Sequence, residues 1–134
     1  MIAASAPPDA GALTSRRTID DVLDSARGRI HRLTPAKARN AWRSGAVVVD
    51  IRPAAQRNAE GALPGAMIIE RNVLEWRLDP SSDARLPIAD HDLQVIVVCQ
   101  EGYASSLAAA SLHDIGIHRA TDVIGGYAAW REQL

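Results

Sequence analysis

The chain has 134 residues, 47% of them hydrophobic and 23% charged, with a formal net charge of −1. That is room for one domain with one core, of ordinary globular composition. The near-neutral charge leaves no broad basic field to gather nucleic acid or an anionic membrane, and apolar runs such as Val95–Cys99 are far too short to span a bilayer.

The chain opens MIAASAPPDAGALTS, with neither a basic start nor a sustained apolar stretch. We expect a flexible tail over residues 1–17 instead of a secretory signal, and a cytoplasmic location. The single cysteine, Cys99, can form no internal disulfide and no cysteine-rich metal cage.

From Thr18 the pattern turns helical. Ile19, Val22, Leu23, Ala26 and Ile30 make one apolar stripe, acidic at its start and basic at its end, over an extra N-terminal helix placed at 18–33. Thr34-Pro35 announces a second helix as N-cap and first-turn proline, with Ala38, Ala41 and Trp42 inward and Gly45 closing it. Val47–Ile51 reads as a strand apolar on both faces, the mark of a parallel sheet covered on both sides. Leu63-Pro64-Gly65 is a turn before a short strand, Ala66–Ile69. Asn72 and Glu75 resemble a capping box opening a short helix through Leu78, and Pro80–Asp92 is an irregular connection.

Val95–Val98 is the third strand, running directly into Cys99. Ala104–Ile115 is an alanine-rich helix ended by Gly116, and Ala120–Ile124 is a fourth strand. Gly125-Gly126 turns into a last helix, Tyr127–Leu134. The alternation predicts an α/β fold: a parallel central sheet of four or five strands with helices on both faces.

Open parallel sheets bind ligands at the carboxyl ends of their strands, which is where Cys99 falls. If the loop Gln100-Glu101-Gly102-Tyr103-Ala104 and Ser105 curls around the sulfur, its N–H groups and the helix start favour thiolate over thiol. Gly102 suits such a curl because a positive φ costs glycine little. The plainer reading of Cys99 is a small buried hydrophobe.

Four segments weigh against the plainer reading. Asp50-Ile51-Arg52 at a strand end, Gly61–Ala66, Val95–Cys99 with its short loop, and Asp122–Trp130 together resemble a single-domain rhodanese from about Thr34 onward. The resemblance implies a rhodanese-like domain over 34–134 and a sulfurtransferase whose Cys99 accepts a sulfane sulfur as a persulfide cradled by Gln100, Glu101, Gly102, Tyr103, Ala104 and Ser105. It implies a small sulfur donor and a thiol, cyanide or protein-thiol acceptor. No cofactor and no metal are expected, since the sulfur travels on the protein.

Departures from the family pattern bear on the donor. Ala62 stands where histidine is common, and Gln100 and Ala104 stand where thiosulfate-using members often carry basic residues. Glu101 adds a negative charge that would oppose thiolate formation if it faced inward. Arg52 and Arg71 each follow a strand and could bring positive charge to the Cys99 rim, or lie solvated at the surface. Asp50 could orient the adjoining loop by accepting N–H bonds. Trp76 reads as a pocket wall or a core residue, and Ser105-Ser106 as helix cap or hydroxyl donors. His31, His91, His113 and His118 show no metal-ligand spacing.

Two other functions share these residues. One is a non-catalytic rhodanese-like module that binds a partner or senses oxidation through Cys99. The other is a cysteine phosphatase, whose Cys-x5-Arg loop would need arginine where this chain has Ser105.

Overall fold

Two β-branched runs form the centre of the computed structural model, which describes residues 16–133. Strand β1 (Val47–Asp50) pairs in parallel with β3 (Val95–Val98), Val47 opposite Val95 and Asp50 opposite Val98. Strands β2 (Met67–Ile68) and β4 (Thr121–Asp122) add at the two edges, both parallel, in the order β2-β1-β3-β4. Parallel neighbours require crossover connections, which here put helices on both faces. This is the α/β architecture expected, with four strands among the described residues.

Side chains alternate along a strand, so the two faces have separate cores. Val49, Val95, Val97 and Cys99 pack with α4 (Leu74–Leu78) and α5 (Ala104–Asp114) through Leu74, Leu78, Ala108, Ala109 and Leu112. Val48, Ile96 and Val98 pack with α2 (Pro35–Arg43) and α6 (Gly126–Glu132) through Ala38, Tyr127 and Trp130. The alanines of α5 bring its backbone close to the sheet, and with it the loop that precedes the helix.

Helix α1 (Ile19–Gly28) starts at Thr18, whose side chain and that of Asp21 cap one another's backbone N–H groups. It buries Leu23 and Ala26 and contacts α5, while Ile19 at the end of the stripe is 67% exposed. Thr34 caps α2 as expected, accepting from the Lys37 N–H.

Three local expectations are corrected. Helix α3 (Ala54–Glu60) has no counterpart among the expected elements; none of its residues is buried, so it leaves no apolar stripe to read. Asn72 and Glu75 form no capping box: Arg71–Val73 is a 3-10 turn, and Glu75 bonds Arg71 and Ser111 instead. The fourth strand is shorter than Ala120–Ile124, because past Asp122 the chain turns to meet Leu33 in a single bridge through Val123. The tail expected over 1–17 falls almost wholly outside the described residues, as does Leu134.

Candidate active site

β3 delivers Cys99 to the carboxyl edge of the sheet, 7% exposed. The next residues double back around the sulfur. Its Sγ accepts from the Gly102 N–H at 3.2 Å and the Ser105 N–H at 3.3 Å, and the thiol donates to Ser105 Oγ at 3.2 Å. Two backbone donors thus converge on one sulfur, the arrangement of a small anion-binding nest.

Only glycine fits two positions of this cradle. Gly102 has φ +85°, and a Cβ there would meet the Gly125 nitrogen at 2.9 Å. Gly126 has φ +61° and lies against the loop from behind, where a Cβ would come within 2.5 Å of the Cys99 carbonyl oxygen. The Tyr127 and Ala128 N–H groups then bond the carbonyls of Cys99 and Gln100, so the Gly-Gly turn pins the start of the loop.

A cavity of about 460 Å³ opens in front of Cys99, lined also by Ile51, Arg52, Pro53, Ala54, Gln56, Glu70, Arg71, Asn72 and Ala104. A wider hollow of about 570 Å³ between Arg39, Trp42 and Trp130 holds no nucleophile. The cavity at Cys99 is therefore the candidate site.

Both strand-end arginines line that cavity, in different states. Arg52 is buried at 1% exposure. Its Nε and Nη2 hold both oxygens of Asp50, Nη2 also reaches the Gly61 carbonyl, Nη1 donates to Gln100 Oε1, and its guanidinium lies 4.0 Å from the Tyr127 ring centroid. It ties the end of β1 to the loop with its charge matched by a carboxylate. Asp50 also accepts the Arg52 N–H at 3.0 Å.

Arg71 is half-exposed and grips Glu75 through Nη1 at 2.9 and 3.0 Å. Burial works to raise the Glu75 carboxyl. The Ser111 hydroxyl, a backbone N–H and the Arg71 charge outweigh it and hold that carboxyl below its usual range.

The remaining loop residues divide. Ala104 lines the cavity and Gln100 faces Arg52, whereas Glu101 and Tyr103 are exposed and do not line it. Glu101 thus does not face inward; the carboxylate at the cavity is Glu70. Trp76 neither walls the pocket nor fills the core, being 60% exposed. Ser105 and Ser106 do not cap α5: both hydroxyls donate to Asp122 Oδ2, at 2.8 and 2.7 Å.

Asp122 is a site residue that no local pattern marks. It is fully buried beneath the loop, and Arg32 Nε donates to it at 2.8 Å. Glu70 is lined up by the same strand-end logic that pointed to Arg71, one residue earlier.

A lone thiol in a backbone cradle, at the carboxyl edge of a parallel sheet and open to a small cavity, is an arrangement suited to cysteine-dependent group transfer. The family model described as a rhodanese-like domain matches residues 34–133, and the chain belongs to that family.

Thiosulfate sulfurtransferase GlpE of Pseudomonas entomophila is 37% identical over 101 residues, spanning 75% of this chain and 84% of that protein. Its counterpart in Pseudomonas fluorescens is 34% identical over the same shares. A Rhodopseudomonas palustris structure of unknown function, described as a "possible tyrosine phosphatase", is 35% identical with a TM-score of 0.79, over 87% of this chain and 91% of its own. The human single-domain sulfurtransferase TSTD1 shares the fold at TM-score 0.63 and 24% identity, over 77% and 96%.

Proposed function

We propose that this chain is a rhodanese-type sulfurtransferase that carries sulfane sulfur on Cys99. Family membership and the sulfurtransferase relatives support the reaction class. The observation that carries the residue assignment is the pair of N–H groups on Cys99 Sγ, from Gly102 and Ser105, at the floor of an open cavity.

In the first half-reaction the Cys99 thiolate attacks the outer sulfur of a donor such as thiosulfate. The donor's S–S bond breaks and the leaving group, sulfite in that case, takes the electron pair. The new persulfide ends in a charged sulfur, which the loop amides stabilise as they do the thiolate. In the second half-reaction an acceptor thiolate or cyanide attacks that outer sulfur and returns Cys99 as thiolate, a two-step exchange through a covalent intermediate. Protons move only between the thiols and solvent. The sulfur itself rides on the protein, so the scheme calls for no cofactor.

The cavity's charge bears on the donor. Arg52 is matched by Asp50, Arg71 by Glu75, and Glu70 adds a carboxylate. A dianion such as thiosulfate meets little unmatched positive charge among these side chains, so it is a weak donor, and an uncharged or singly charged persulfide is better suited.

A phosphatase reading lacks its central group. Six residues past Cys99, where a loop arginine would grip phosphate, Ser105 is buried with its hydroxyl on Asp122. Sulfur transfer from thiosulfate to cyanide, compared between wild type and Cys99→Ser, tests the proposal: loss in the variant supports it, and retained turnover removes it.

A further inference from the structure

The stretch ahead of the family match reaches under the sulfur loop. Arg27, on α1, donates through Nη2 to the Gly102 carbonyl at 2.8 Å and through Nε to Ser106 Oγ at 3.1 Å. Arg32, in the connection to α2, donates through Nη2 to the same carbonyl at 2.9 Å. Two guanidinium groups thus occupy the lone pairs of one carbonyl oxygen. The N–H of that same residue is the one aimed at Cys99 Sγ.

The two cations differ in their balance of charge. Arg32 is paired with buried Asp122 at 2.8 Å. Arg27 forms no salt bridge among the described residues; its guanidinium lies instead 5.4 Å from the Tyr103 ring centroid. Gln100 to Ser106 contains no basic side chain and one carboxylate, Glu101, directed to solvent. The unmatched positive charge beside the loop therefore comes from a helix outside the matched residues 34–133.

We propose that Arg27 is a positioning residue for Cys99: it holds the Gly102 peptide in register with the sulfur and lends the anionic sulfur a positive charge that the loop lacks. The proposal builds on the sulfurtransferase reading and adds residues 18–33 to the working domain. The similarity to the Rhodopseudomonas structure supports that extension, since it covers 87% of this chain against the 100 positions of 34–133.

The magnitude follows from the bonding path. Arg27 to Gly102 oxygen is 2.8 Å and Gly102 nitrogen to sulfur is 3.2 Å, within one residue, so the charge lies within about 10 Å of the sulfur. At that range a part-buried cation alters the population of an anion by about three- to tenfold.

The test compares the full chain with Arg27→Gln, Arg27→Lys and Arg29→Gln. Arg29 follows α1 directly, forms a surface ion pair with Asp114, and has no hydrogen bond to the loop. The readouts are the rate of Cys99 alkylation by iodoacetamide at neutral pH, thiolate ultraviolet absorbance, and sulfur loading from thiosulfate. Arg27→Gln should lower alkylation and absorbance about three- to tenfold, Arg27→Lys should recover most of the loss, and Arg29→Gln should match wild type.

Wild-type alkylation in Arg27→Gln overturns the proposal, as does a lysine variant no better than glutamine or an equal loss in Arg29→Gln. Arg27-dependent alkylation with no sulfur loading of wild type from either thiosulfate or a small-molecule persulfide would keep the positioning role and remove the sulfurtransferase reading.

Discussion

Ser105 meets the Cys99 sulfur twice, with its N–H at 3.3 Å and its hydroxyl at 3.2 Å. The hydroxyl in turn donates to Asp122 at 2.8 Å, so the thiol sits at the end of a chain that finishes on a buried carboxylate. The second residue of α5 is thereby fixed to the sulfur by main chain and side chain together.

Ser105→Ala separates those two contacts. The N–H remains, while the thiol loses its acceptor and Asp122 one of its donors. The expected outcome is a slowing of persulfide formation by about fivefold and a stability loss of about 1 kcal/mol, the scale of one hydrogen bond. Single-turnover sulfur loading and urea unfolding read the two effects separately.

Arg52 and Asp50 are both essentially buried, with side-chain exposures of 0% and 2%. Removing one partner leaves a buried charge unpaired, so Arg52→Ala should cost about 3–5 kcal/mol in urea unfolding. Arg52→Lys should rescue little, because one ammonium cannot span Asp50, Gly61 and Gln100 together. An unfolding curve for either variant that overlays wild type would mean that the pair does not hold the loop.

The cavity's charge gives a prediction about donors. Ala104 lines the cavity and Glu101 does not. Ala104→Arg should therefore raise kcat/KM for thiosulfate by about tenfold at low salt, an effect that shrinks as salt screens it. Glu101→Gln should change it less than about twofold, since an exposed charge is well solvated. Steady-state kinetics with thiosulfate across an ionic-strength series checks both.

Glu75 makes stability depend on acid. Its carboxyl binds a proton less readily in the folded protein than in the unfolded chain, through Ser111, the backbone and Arg71 acting against burial. Its contribution is present above the ordinary carboxylate value of about 4 and is lost as pH falls through the lowered folded value. The Tm gap between wild type and Glu75→Gln should be open at neutral pH and narrow on acidification. A gap independent of pH would contradict the assignment.

Legibility in the sequence followed how local the determinant is. β3 and the Cys99 loop are readable because a β-branched run, one thiol and one glycine lie within eight residues, Val95–Gly102. Thr34-Pro35 marks α2 through capping chemistry that needs only its own neighbours. Helix α3 buries nothing and so carries no periodic signal. Asp122 and Arg27 stand apart from the loop in sequence, Arg27 by 75 positions from Gly102, and a bond across that separation leaves no pattern to read. Even the pointing of Glu101 was undecidable locally, since it depends on which way the Gly102 peptide turns.

The most direct test of sulfur carriage is the intact mass of the protein after incubation with thiosulfate or mercaptopyruvate and removal of the small molecules. Wild type should gain one sulfur atom, removed by cyanide or a reducing thiol, and Cys99→Ser should gain none. A wild-type mass without the addition for every donor, or an equal addition on Cys99→Ser, would contradict sulfur carriage on Cys99.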